Sequence, residues 1–82
     1  MNDQMKLEII TPETTLFEGE VTLVQLPGID GSFEILNNHA PLISVLKEGK
    51  IKVRDASNKE TLFDVKGGVI EVLKNKVLVL AE

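Results

Sequence analysis

The stretch Lys50-Ile51-Lys52-Val53-Arg54-Asp55-Ala56-Ser57-Asn58 decides the fold class. Ile51 and Val53 alternate with Lys50, Lys52 and Arg54. A period of two belongs to an extended strand with one dry and one wet face; a helix repeats its apolar positions at wider spacing. The alternation stops at Asp55-Ala56-Ser57-Asn58, a hairpin turn by composition, and a further run follows at 61–65.

Outward from this hairpin the same punctuation recurs. Residues 6–10 stop before Thr11-Pro12, 15–17 before Glu18-Gly19, and 20–26 before Pro27-Gly28. Gly31 opens 32–36, which Asn37-Asn38 ends; Pro41 precedes 42–46, which ends at Lys47-Glu48-Gly49. Lys66-Gly67-Gly68 and Lys74-Asn75 separate the closing runs 69–73 and 76–81. Short runs broken by turn residues at this rate predict an all-β fold. We expect a single antiparallel β-sandwich of about ten short strands with little or no helix, one domain over residues 1–82. Leu42, Val45 and Leu46 also fit helical spacing, but that segment is too short to decide by period. No helical stretch separates the strands, which excludes a doubly wound parallel sheet.

Composition narrows the partners. Of 82 residues 43% are hydrophobic, enough for a packed core, and there is no cysteine to supply a disulfide or a thiolate metal site. Thirteen acids against nine bases leave a net charge of -4, which argues against a nucleic-acid duplex. The three aromatics are all Phe, too few for a sugar or single-strand stacking platform. The start, Met1-Asn2-Asp3-Gln4-Met5-Lys6, has no apolar core of a signal peptide and no apolar run is long enough to span a membrane, so a cytoplasmic location is expected.

The closing strands carry apolar residues on both parities: Val77 and Val79 point one way, Leu78 and Leu80 the other. Either the domain's own loops cover the outer face, or that face meets another protein.

Catalytic parts are missing. His39 is the only histidine, and no serine stands in a nucleophile-elbow context. The acids Glu13, Glu18, Glu20, Asp30, Glu34 and Glu48 fall mostly in turns and at strand ends, with no spacing that suggests acid–base work. Gly28-Ile29-Asp30-Gly31 and Gly67-Gly68 are not phosphate-loop patterns; they suit turns or bulges. Lys50, Lys52 and Arg54 read first as a solvated strand face, and second as a match for an acidic partner. No catalytic residue, cofactor site or metal site is expected.

At Leu26-Pro27-Gly28-Ile29-Asp30-Gly31-Ser32-Phe33-Glu34-Ile35-Leu36-Asn37-Asn38-His39-Ala40-Pro41-Leu42 the chain resembles the epsilon subunit family of bacterial F-type ATP synthase, whose stretch reads LPGxxGxFGILPGHAPL. Ile10-Thr11-Pro12-Glu13 and Leu16-Phe17-Glu18-Gly19-Glu20-Val21 resemble the family's opening hairpin. Lys47 and Gly49 match its LKPG turn, and Gly67-Gly68, Glu71-Val72, Asn75 and Val77-Leu78-Val79-Leu80-Ala81 resemble its closing strands. Glu34 stands where the family has Gly, Asn37-Asn38 where it has Pro-Gly, and Glu48 where it has Pro; Asn keeps a positive-φ turn feasible.

The resemblance implies a ten-stranded sandwich in the central stalk, packed on the gamma subunit and standing on the ring of c subunits. It implies a peripheral position on the cytoplasmic face of the bacterial inner membrane, where proton or sodium flow turns the ring and the domain helps fix gamma to it. Contact with the c-ring maps to a loop at the lower end of the sandwich, through Ser32, Glu34, Asn37 and Asn38. Contact with gamma maps to His39, Ala40, Pro41, Leu78 and Leu80. Family members commonly continue into a C-terminal helical hairpin that inhibits ATP hydrolysis and in some binds ATP; the chain stops at Glu82, so neither property is expected. Two other readings carry less. A biotinyl or lipoyl carrier domain needs a modifiable Lys at a hairpin tip, and Lys66 lacks the flanking Met or Asp; a free-standing ligand-binding sandwich needs a concave polar or aromatic site.

Overall fold

In a computed structural model, which describes residues 4–82, nine strands follow one another. They are β1 (Met5–Ile10), β2 (Thr15–Val21), β3 (Leu23–Gly28), β4 (Gly31–Leu36), β5 (Leu42–Leu46), β6 (Gly49–Arg54), β7 (Glu60–Val65), β8 (Gly68–Leu73) and β9 (Lys76–Ala81). The opening Met1-Asn2-Asp3 of the segment read for a signal peptide lies outside the described residues.

The deciding hairpin forms as its alternation predicts. β6 and β7 pair antiparallel from Gly49↔Val65 to Arg54↔Glu60, with Ile51 and Val53 buried. The Asp55 carboxylate accepts the backbone N–H of Ser57 at 2.8 Å and of Lys59 at 3.0 Å, and Asn58 takes a φ of 63°. An Asx-type turn of this kind is what the Asp-Ala-Ser-Asn composition favours.

The hydrogen-bonded order is β2-β1-β9-β8-β5-β3-β6-β7, with β4 paired on β3. β5 and β3 meet only at Gly28↔Leu46. That narrow joint divides the strands into a half of β2, β1, β9, β8 and β5 and a half of β4, β3, β6 and β7. Both halves feed one core: Leu7, Ile9, Ile70, Val77 and Val79 from the first meet Val24, Leu26, Ile35, Ile51 and Val53 from the second. Phe17 of β2 and Phe63 of β7 sit edge to face, 5.8 Å between centroids, across the side where the halves are not hydrogen-bonded. The result is an all-strand sandwich; among the described residues no helix is long and apolar enough to cross a membrane.

Three details differ from the sequence expectation. The sandwich is not wholly antiparallel: β1 and β9 run parallel, in register from Lys6↔Lys76 to Ile10↔Leu80. No turn joins these two strands, so no local signal records their direction. The break expected at Glu18-Gly19 falls instead at Thr22, whose hydroxyl donates to the carbonyl of Arg54 at 3.2 Å while its N–H bonds the same carbonyl at 2.8 Å. Pro27-Gly28 does not end a strand either. Both residues pair with β4, Pro27↔Ser32 and Gly28↔Gly31, and the turn is Ile29-Asp30. Gly28 is needed there because a Cβ would lie 2.6 Å from the Gly31 carbonyl oxygen and 2.8 Å from the Phe33 ring. The ambiguous 42–46 segment is a strand, fixed by five paired positions with β8.

Candidate docking surfaces

Strand pairing sorts the closing strands by face. Ile70 and Val72 on β8 and Val77 and Val79 on β9 are buried. Their neighbours point out: Leu73 is 51% exposed, Leu80 49% and Val69 39%, with Leu78 half-buried. The domain's own loops therefore do not cover this face, which removes one of the two readings of the two-faced strands. β5 extends it with Ile43, 72% exposed, and Val45, 50% exposed.

Cross-strand partners place these side chains in rows. One row runs Val45, Val69, Leu80, Ile10 over β5, β8, β9 and β1. The next runs Ile43, Glu71, Leu78, Glu8, Glu18 and reaches β2. A third holds Leu73, Lys76, Lys6 and Glu20. Three shallow depressions share Glu71 on their rims: one of about 190 Å³ against Val69 and Leu80, one of about 360 Å³ against Pro41 and Leu73, and one of about 250 Å³ against Lys76 and Leu78. A contiguous apolar face on a small chain marks an interaction site. Covering it returns ~25 cal/mol per Å² of apolar surface.

At one end of this face lies the segment Asn37-Asn38-His39-Ala40-Pro41. The two-residue turn Lys74-Asn75 joins β8 to β9, with φ of 51° and 60°, the left-handed pair that matches strand twist. Asn75 then reaches across. Its Oδ1 accepts the Asn38 N–H at 2.6 Å, its Nδ2 donates to Asn37 Oδ1 at 2.6 Å, and its carbonyl accepts the Lys6 N–H at 2.9 Å. Asn38 adopts a φ of 65°, as a turn there requires. The expected gamma-contact residues His39, Ala40 and Pro41 are thus exposed on a loop pinned to the β8–β9 turn. Among the described residues the His39 ring hydrogen-bonds its neighbour, Nδ1 to the Ala40 carbonyl at 2.7 Å. Pro41 leads into Ile43, so the loop is continuous with the apolar face that carries Leu78 and Leu80.

Ser32 and Glu34 are placed differently from the expectation of one loop. Both lie on strand β4, exposed, on the same side as Leu36. β4 pairs only with β3. Ser32 stands beside the Ile29-Asp30 turn and Asn37-Asn38 at the far end, ~17 Å along the strand. These four residues therefore share a strand and its end, not a loop. The sequence reading passed over Ile43, Val45 and Glu71 as site residues. The signal was present: Ile43 and Val45 lie on the opposite parity from buried Leu46, the two-sided pattern noticed in β8 and β9.

Two of the three bases of the β6 stripe form ion pairs within their own hairpin. Lys50 pairs with Asp64 at 2.7 Å, both largely exposed, and Arg54 with Glu60 at 2.7 Å. The hydrogen bond from Arg54, and then the Lys52 charge, hold the Glu60 carboxyl below its ordinary value. Among the described residues no group of three His, Cys, Asp or Glu comes together to hold a metal ion.

An open apolar sheet face beside a pinned loop makes this a small all-β docking domain. Residues 4–82 match the family described as ATP synthase, Delta/Epsilon chain, beta-sandwich domain. The chain belongs to that family. It is 46% identical over 77 residues to the ATP synthase epsilon chain of Chlorobium limicola, covering 94% of this chain and 88% of that one. The ATP synthase epsilon chain of Chlorobaculum tepidum is 41% identical over 76 residues, 93% of this chain and 86% of that one. Among solved structures, a chain of the Euglena gracilis mitochondrial ATP synthase OSCP/F1/c-ring assembly superposes with a TM-score of 0.92 at 17% identity, over 99% of this chain and 52% of that one. The chain thus shares the fold of that neighbour and spans about half its length.

Proposed function

We propose that this chain is a non-catalytic central-stalk subunit of a bacterial F-type ATP synthase, acting as one domain over residues 1–82. In this reading it sits peripherally on the cytoplasmic face of the inner membrane and ties gamma to the c-ring. The single observation that carries the proposal is the continuous apolar face of β5, β8 and β9 joined to the pinned 37–41 loop, in a member of this family. Gamma is assigned to His39, Ala40, Pro41, Leu78 and Leu80, which lie along that face and its end. The c-ring is assigned to Ser32, Glu34, Asn37 and Asn38, along β4 and its end.

The work such a subunit does is mechanical. A stiff body passes torque with little elastic twist. Here the two contact regions are held in one hydrogen-bonded unit: Asn75 ties the end of β4 to the β8–β9 turn, and the two halves share one packed core. The test is capture of the tagged chain from solubilised bacterial membranes, followed by mass spectrometry. Gamma and c subunits are expected together; recovery of neither refutes the proposal.

A further inference from the structure

We infer that the partner surface seated on the β5–β8–β9 face is basic and amphipathic, setting a Lys or Arg side chain against Glu71 and apolar side chains in the depressions around it. The inference rests on the stalk reading above and adds the chemistry that its gamma partner must present. Glu71 stands between Ile43 and Leu78 in its row, so its cross-strand neighbours on the outer face are apolar. Lys76 shares one depression with it but forms no ion pair; among the described residues the ion pairs are Lys50–Asp64 and Arg54–Glu60, on the other half. Three depressions converge on it, so a partner that fills them must cover the carboxylate.

Covering a carboxylate with neutral apolar atoms strips its water and gives nothing back, whereas a cation offsets part of that loss. The same row continues past Leu78 to Glu8 and Glu18, which stand directly opposite each other on β1 and β2. Like charges in that position repel, and a basic flank on the partner relieves them. A second copy of this chain is the wrong occupant. It would bring together chains that each carry a net charge of -4, which repel.

The test titrates purified gamma against the full chain and its Glu71→Gln, Glu71→Lys and Leu80→Ser variants, at low and high salt. Glu71 is exposed, so these charge changes leave the core untouched. Glu71→Gln is expected to weaken gamma binding about tenfold at low salt, Glu71→Lys further, and both to flatten its salt dependence. Glu71→Gln binding within about twofold of the unaltered chain, with the same salt dependence, overturns the inference while gamma binding, and with it the stalk reading, stands. No gamma binding by the unaltered chain overturns both. Sedimentation showing a dimer of the unaltered chain that Leu80→Ser abolishes overturns it in favour of self-association.

Discussion

Val79 and Leu80 are adjacent on β9 and face opposite ways, so the same substitution at each should give different proteins. Val79 is fully buried in the core cluster; Leu80 is 49% exposed in the outer row. Val79→Ser forfeits the burial of a whole side chain, ~1.5–3 kcal/mol, and leaves a cavity. The new hydroxyl, with no partner in an apolar core, adds ~1–3 kcal/mol. The sum is ~2.5–6 kcal/mol, against a total stability of ~4–12 kcal/mol for a chain of this length. At ~4–8 °C per kcal/mol for a domain of this size, Val79→Ser should melt at least ~10 °C lower, and near the lower stability limit it will not fold. Leu80→Ser loses only the buried half of its side chain and keeps its hydroxyl in water. That costs ~1 kcal/mol, a drop below ~8 °C. Circular dichroism melts of the isolated chain measure both, with Val77→Ser and Leu78→Ser as their counterparts one register position back. Gamma binding should follow the opposite order among the folded variants, lost for Leu80→Ser. If Val79→Ser and Leu80→Ser melt within a few degrees of each other, the outer face is as structural as the core, and the docking argument built on it fails.

Gly68→Ala should destabilise the chain by at least ~2 kcal/mol in the same melts, because Gly68 holds a φ of 148° and a Cβ there would collide with the Leu80 carbonyl oxygen. Asn75→Ala removes both side-chain bonds to 37–38 and should speed amide exchange at Asn38 by about tenfold or more while β6 and β7 stay protected; unchanged exchange at Asn38 would show that the loop holds itself. The Glu60 carboxyl is depressed in the folded chain, so its contribution is present above its unfolded value and is lost as pH falls through the folded one; the melting gap between the unaltered chain and Glu60→Gln should be widest near neutrality and close below the ordinary carboxylate range. A His39→Ala chain should melt with the unaltered one, since the exposed ring bonds its neighbour Ala40, and weaken gamma capture; global unfolding would place His39 among the core residues after all.

The order of residues alone was enough for the class of fold and most of its punctuation. Alternation in 50–54 and the turn chemistry of Asp55 and Asn58 are local, so the hairpin can be read from its own residues. The run from Leu26 to Leu42 was enough to point to a family, and the whole described chain matches it. What the residues could not say was which parity of β8 and β9 faces in. Val77, Leu78, Val79 and Leu80 are all apolar, so the period-two signal cancels, and the choice falls to the sheet that packs against them. The same holds for the parallel pairing of β1 with β9, which unites opposite ends of the chain with no turn to record it. It holds for Asn75, whose partners are 37 and 38 positions away. It holds for Glu71, an ordinary acid in the sequence that becomes a site only when three strands set apolar side chains around it. Local chemistry is written residue by residue; the surface a partner meets is made by register between distant strands, and register exists only in the folded sheet.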